Sequence, residues 1–339
     1  MIRLVCFFLW LPACLWIGCG NLVSTPDLRP AAYTAWVTGD TADVQTQPLG
    51  GLVLAGGSTD VDAAMRWLLQ RSNHGDVLII RASGSNGYND YLFSRLGERV
   101  NSVETILVNT RELAHHADIV RKVRQAEAIF FAGGDQANYV NFYRATPLAD
   151  ALNERIRAGA VLGGTSAGCA ILGQIYFSAL HDSIVSDEAL ANPFDQRVTL
   201  GYADFLKHPL LANLITDQHY TNRNRHGRHL TFLARAAAQT QQPRGIGVDE
   251  KTAVCVLPDG KTLVFGQGNA YFLQAAATLP ETCTPGKPLT WKAGARAVRV
   301  VRVAGAETGT AGFDLRTFQP ADPTGVTYWY AENGQLIKP

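Results

Sequence analysis

Five short apolar runs constrain this chain more than any other feature of its 339 residues, and four of them end in turns built from glycine or serine. Gly51-Leu52-Val53-Leu54-Ala55 runs into Gly56-Gly57-Ser58, and Val77-Leu78-Ile79-Ile80 leads to Ser83-Gly84-Ser85. Ala128-Ile129-Phe130-Phe131-Ala132 stops at Gly133-Gly134-Asp135-Gln136, and Ala160-Val161-Leu162 leads into Gly164-Thr165-Ser166-Ala167-Gly168. The fifth is Thr105-Ile106-Leu107-Val108. Between them the spacing predicts helices over 61–70, 91–96, 117–125 and 148–158, the first with Met65, Leu68 and Leu69 turned inward. Strands apolar on both faces that alternate with helices predict an α/β fold, a doubly wound, mostly parallel sheet with flanking helices. In such a sheet the site lies beyond the carboxyl ends of the strands, where these small-residue turns converge. After Glu250 the runs 252–257, 262–266, 270–273 and 298–303 have no long helices between them and predict a C-terminal antiparallel β extension.

Apolar residues make up 47% and charged residues 17%, too rich in core-forming side chains for a disordered chain. Thirty basic residues stand against 29 acidic ones, so nothing in the overall charge calls for a nucleic-acid partner. The N-terminus reads as a targeting segment: Arg3 precedes an apolar run from Leu4 to Ile17, too short for a membrane span and suited to a signal-peptide core. Trp16-Ile17-Gly18-Cys19 resembles a bacterial lipoprotein junction, with tryptophan where leucine is usual. The expected organisation is therefore a lipoprotein-type signal over 1–18, lipidation on Cys19 and a flexible tether over 19–48. A catalytic domain over 49–320 and a tail over 321–339 complete it. The chain is expected to be exported, either anchored to a membrane by its lipid or secreted. Cys169, Cys255 and Cys283 would remain in the mature chain, with a Cys255–Cys283 disulfide left open and Cys169 read as a packing residue.

Ser166 is where a hydrolase would place its nucleophile. A serine between glycines at a strand-to-helix turn has its hydroxyl exposed on a tight corner, and the next N–H, that of Ala167, points where an oxyanion would form. A serine hydroxyl needs a base. Four of the eight histidines lie between His208 and His229, and His219 follows the apolar stretch Leu210–Ile215. Around it Arg223, Arg225 and Arg228 form a cluster suited to pairing with carboxylates. His226 and His229 have the spacing of a helical metal pair, but no third ligand accompanies them. Asp249 and Glu250 place two acids at the mouth of an apolar strand, either of them able to orient a histidine.

Taken together, Gly-Gly-Asp-Gln at 133–136, Gly-Thr-Ser-Ala-Gly at 164–168, Asp-Gln-His-Tyr at 217–220 with its trailing arginines, and Gly-Val-Asp-Glu-Lys-Thr-Ala at 247–253 resemble the cyanophycinases. These belong to a serine peptidase family that also holds the aspartyl dipeptidases. The resemblance covers about residues 49–318 and implies Ser166 as nucleophile, His219 as general base and Glu250 as the acid that orients it. It implies Gly134, or Asp135 beside it, with Ala167 as the oxyanion hole. It places Gln136, Asp217, Gln218, Arg223, Arg225 and Arg228 in the substrate pocket. Cyanophycin is a polyaspartate backbone with arginine on each β-carboxyl, and the family cuts it to β-Asp-Arg dipeptides through an acyl-enzyme with no metal or organic cofactor. On this reading the arginines clamp substrate carboxylates, while Asp217, Gln218 and Gln136 accept its guanidinium. The export signal, the tether and Cys169 depart from the family pattern. The family's dimerisation leaves a homodimer as an expectation. An aspartyl or isoaspartyl dipeptidase, or a lipoprotein that binds a peptide without cutting it, are the other readings.

Overall fold

The computed structural model describes residues 32–339, so the expected signal peptide, Cys19 and the first part of the tether lie outside the described residues. In chain order the strands and helices are β1 (Thr34–Gly39), β2 (Gly51–Ala55), α1 (Asp62–Arg71), β3 (Asp76–Arg81), α2 (Gly87–Asp90), β4 (Ser102–Leu107), α3 (Ala117–Gln125), β5 (Ala128–Phe131), α4 (Gln136–Tyr143) and α5 (Pro147–Arg157). They continue with β6 (Val161–Thr165), α6 (Ala167–Ala170), β7 (Ile175–Phe177), α7 (Ser186–Ala191), β8 (Leu200–Tyr202), β9 (Leu214–Asp217), α8 (His226–Ala237), β10 (Arg244–Val248) and β11 (Thr252–Val256). Last come β12 (Lys261–Gly266), β13 (Asn269–Ala275), β14 (Val298–Ala304), β15 (Thr310–Asp314), β16 (Gln319–Pro320), β17 (Val326–Glu332) and β18 (Gln335–Ile337).

Two sheets carry these strands. The first has the order β1-β4-β3-β5-β6-β2-β11-β12-β15-β16, with β4, β3, β5, β6 and β2 mutually parallel. Its parallel half is covered on both faces. Leu52, Leu54, Leu78, Ile80, Ile129 and Phe131 enter one core, while Val53, Ala55, Val77, Ile79, Ala128 and Phe130 enter the other. Successive side chains of a strand point to opposite faces, so only uninterrupted apolar runs fill both layers. Each fully buried leucine, isoleucine or phenylalanine stabilises the fold by about 1.5–3 kcal/mol. Among the described residues no helix is long and apolar enough to cross a membrane.

The antiparallel strands do more than extend that sheet. β11, β12, β15 and β16 do add to it beyond β2, as expected. The remaining strands build a second sheet, β18-β17-β14-β13-β10-β9-β7-β8, in which only β7, β9 and β10 run parallel. Two expected boundaries are corrected. β1 lies inside the segment read as tether and pairs antiparallel with β4, Thr34 opposite Leu107 and Gly39 opposite Ser102. It is an edge strand with half-exposed side chains, so it lacks the apolar run that marked the interior strands. The segment read as a tail holds β17 and β18, and Trp329 is buried there against His226 and Tyr271. Cys169, Cys255 and Cys283 are free thiols, the first two buried, so no Cys255–Cys283 disulfide forms.

Candidate active site

β6 is buried along its whole length and ends in a turn that the backbone resists. Ser166 has φ 53° and ψ −121°, a conformation costly for a residue with a side chain, by about 1–3 kcal/mol. The turn is held by the Ser166 N–H, which donates to Ala55 O at 3.1 Å. The Ser166 carbonyl in turn accepts from Cys169 N and Ala170 N at 2.9 and 3.0 Å. Gly168 lets the short α6 lie against the end of β5, since a Cβ there would collide with the carbonyls of Phe131 and Ala132. The predicted elbow is present, and the hydroxyl stands at the carboxyl end of the sheet.

The histidine arrives from the other sheet. His219 lies just past β9 with φ 48°, and its N–H donates to Gly56 O at 2.8 Å. Its Nε2 is 2.8 Å from Ser166 Oγ, and its Nδ1 is 2.6 Å from Glu250 Oε1. A carboxylate accepts, so Nδ1 carries the proton and Nε2 is free to accept from the serine. Burial pushes His219 below the ordinary histidine pKa, the Glu250 hydrogen bond opposes that, and Arg223 and Arg225 add to the lowering. The ring is therefore neutral at neutral pH, the state a general base needs. Glu250 sits where the chain crosses from β10 in the second sheet to β11 in the first. Asp249, the other acid of the pair, accepts from Thr221 N and Asn269 N at 2.9 Å each and so ties down the loops around the histidine.

Gly57 was not singled out as a site residue in the sequence, yet it allows the meeting. A Cβ on it would lie 2.5 Å from His219 Cε1 and 3.1 Å from Ser166 Cβ. On the other flank, a Cβ on Gly133 would lie 3.5 Å from Ser166 Cβ, so the Gly133–Asp135 turn borders the serine closely. Ala167 opens α6 and its N–H has no intrahelical acceptor. Gly134 and Asp135 are exposed beside it, Asp135 Oδ1 capping α4 through Ala137 N at 2.9 Å. Only the doubled glycines after each strand hint at these close approaches in the sequence.

The expected substrate residues divide. Arg228 donates from Nε to Asp217 Oδ2 at 2.9 Å and from Nη2 to Asp217 Oδ1 at 2.6 Å, with side chains 2% and 3% exposed. Burial alone would push the Asp217 carboxyl up, but Arg228 and Arg225 beside it hold it below the ordinary carboxylate value. These two residues are each other's partners, which corrects the expectation that each contacts substrate. Beyond the fork, Arg228 Nη1 donates to Ser183 Oγ at 3.3 Å and Ile184 O at 3.2 Å, and Asp217 Oδ1 also accepts from Gln218 N at 2.9 Å, so their polar groups are taken up within the protein. Arg225 is also buried, which lowers its pKa to about 10, and its Nη1 donates to Gln218 O at 2.8 Å and to Gln218 Oε1. Gln136 is half-buried, its Nε2 donating to Phe177 O at 3.3 Å. Of Arg223, Arg225 and Arg228, only Arg223 is exposed.

The remaining titratable groups are packed. His229 Nδ1 lies 3.1 Å from Tyr220 Oη, and the His226 ring lies among Tyr220, Tyr271 and Trp329. Burial lowers both to about 4. Among the described residues no group of three or more His, Cys, Asp or Glu side chains is placed to hold a metal ion. Cys169 is buried behind the elbow, where burial pushes its thiol pKa well up and keeps it protonated.

Known proteins resemble this chain in sequence and in fold. The family described as "Peptidase family S51" matches residues 52–264. A cyanophycinase of Synechococcus elongatus is 31% identical over 183 residues, which are 54% of this chain and 51% of that protein. A cyanophycinase of Nostoc sp. is 30% identical over 179 residues, 52% of this chain and 54% of that protein. The chain thus spans about half the length of these curated relatives. A crystal structure of a peptidase from an acI-B1 Actinobacterium superposes with a TM-score of 0.51 at 17% identity, covering 79% of this chain and 98% of that one. That likeness shows the shared fold.

Proposed function

Because the chain belongs to peptidase family S51, we propose that it is an exported serine hydrolase that cuts the polyaspartate backbone of cyanophycin and releases β-Asp-Arg dipeptides. The observation that carries the chemistry is the continuous hydrogen-bonded chain Ser166–His219–Glu250 at a strained strand-to-helix turn. Ser166 Oγ attacks the backbone carbonyl carbon as His219 Nε2 takes its proton, and Glu250 holds the ring and stabilises the imidazolium. The oxyanion is met by the N–H of Ala167 and by that of Gly134 or Asp135, each costing about 10²–10³ in rate if lost. His219 then passes the proton to the leaving amine, which departs and leaves an acyl-serine. Water adds to that ester, with His219 again as base, and the free carboxylate and serine are regenerated.

Relatives named cyanophycinase at about 30% identity support the substrate class. On this reading the exposed Arg223 and the half-buried Gln136 meet the substrate, and the buried Asp217, Gln218, Arg225 and Arg228 support the pocket from beneath. Export, with a lipid on Cys19, rests on the N-terminal sequence; mass spectrometry of the mature N-terminus checks it, and an unmodified end beyond Cys19 rules the lipid out.

The deciding experiment incubates the purified protein with insoluble cyanophycin and identifies soluble products by mass spectrometry. Release of β-Asp-Arg, absent with Ser166→Ala, is the expected result. A folded protein that releases nothing sinks the polymer reading, and a panel of aspartyl and isoaspartyl dipeptides then tests the dipeptidase.

A further inference from the structure

Ser166 lies between two turns, Gly133–Asp135 after β5 and Gly56–Ser58 after β2, because β6 runs between those strands. Gln136, Gln218 and Arg225 belong to the β5 side or to the loops behind the histidine. The β2 side leads elsewhere, into a groove of about 720 Å³ lined by Asp60, Asp62, Arg66, Lys251, Gln267 and Glu307 among others. That volume falls within the roughly 300–1,000 Å³ of ordinary ligand clefts.

We propose that this groove seats the part of the substrate chain flanking the cleaved bond, a chain that carries both guanidinium and carboxylate groups. The groove borders the loops that carry the triad, and no triad residue lines it. Lys251 directly follows Glu250, and its N–H donates at 3.1 Å to the carbonyl of Gly57, the glycine pressed against His219. Asp60 stands three residues beyond Gly57 and accepts from Tyr88 Oη at 2.6 Å.

The walls come from four separate parts of the chain: residues 59–66 leading into α1, Lys251 between β10 and β11, the β12–β13 turn at Gln267, and the β14–β15 loop at Glu307. Their charges are of both signs. Asp62 is held by Tyr91 Oη at 2.7 Å and lies 3.8 Å from Arg66, whose Nε donates to Leu96 O at 3.0 Å. Lys251 and Glu307 are exposed and, among the described residues, neither forms an ion pair. Among the described residues Asp60 forms no ion pair either, but it is half-buried and hydrogen-bonded to Tyr88. Lys251 and Glu307 are therefore the exposed unpaired charges of the groove, one cation and one anion, and they match a substrate whose every unit offers one carboxylate and one guanidinium. Glu307 is the partner for the guanidinium and Lys251 for the carboxylate. A dipeptide occupying only the serine's own pocket would leave both idle, so the inference rests on the polymer reading and deepens it.

The test measures binding apart from cleavage. A fluorescently labelled soluble cyanophycin oligomer is titrated into Ser166→Ala protein carrying Glu307→Lys, Lys251→Glu or Glu307→Asp, each checked for an unchanged melting transition. Each charge reversal is expected to weaken binding about tenfold at low salt, with the difference shrinking as salt rises, while Glu307→Asp stays close to the parent. Unchanged affinity in both reversals overturns the groove. Turnover of the same oligomer by the wild-type chain is read in parallel. Cleavage with indifferent reversals removes the groove alone; absent cleavage with weakened binding removes the polymer-hydrolase reading and keeps the groove.

Discussion

Two polar clusters meet at the seam between the sheets, and they differ in how completely their hydrogen-bonding groups are engaged. In the first, Ser166, His219 and Glu250 point at one another in single file, and the Glu250 side chain keeps a quarter of its surface open. In the second, Asp217, Arg228, Arg225 and Gln218 are sealed, with both Asp217 oxygens and most of the guanidinium donors taken. Both were read from the sequence as site residues. The difference teaches that a buried, self-satisfied cluster shapes a pocket, whereas an open chain of groups retains a hydroxyl with chemistry left to do.

The sharpest way to break that contrast is kinetic. Ser166→Ala should lower turnover by about 10⁶-fold with the melting transition unmoved, as removal of a triad nucleophile does; a variant with near-wild-type turnover would end the assignment. Glu250→Gln should cost less, about 10⁴-fold, because the third group orients the ring and fixes its tautomer without touching substrate. Loss equal to that of Ser166→Ala would place Glu250 in the reacting set.

Arg228→Ala tests the sealed side. It leaves the Asp217 carboxylate buried and unpaired, so denaturant unfolding should show a loss of about 3–5 kcal/mol. Full stability with a raised KM would return Arg228 to direct substrate contact.

The smallest effect joins the two clusters. His219 must be neutral to accept a proton, so activity falls as pH drops through its pKa, which lies below the ordinary value of 6.5. Arg223 is one of the charges that lower it, so Arg223→Ala should move the acid limb of the kcat/KM profile to higher pH. A limb that stays put or moves down would show that the charge does not reach the ring.

The parallel half of the first sheet was legible because each of its strands is covered on both faces and must be apolar throughout. The elbow was legible for a related reason: a serine at a positive φ between two small residues leaves a local trace at 164–168. β1 and the strands of the former tail were not legible, since half-exposed strands such as Thr34–Gly39 and Val326–Glu332 carry polar residues that a loop would carry equally well. Among the site residues, the order Ser166, His219, Glu250 was readable from motifs. Which arginine faces solvent was not. Arg223, Arg225 and Arg228 look alike in the sequence, and their fates depend on the turn into α8, which buries Arg225 and Arg228 and leaves Arg223 outside.

The sequence by itself determined the alternation of strands and helices, the strained corner at Ser166 and the residue types needed for acyl transfer, because these follow from local periodicity and local backbone preference. Only the tertiary structure decided that His219 follows a strand of the second sheet and Glu250 lies at the crossing between the sheets, that Asp217 answers Arg228, and that Gly57 must lack a side chain. Each of those depends on which distant segments pack together, and burial and charge pairing are set by that packing.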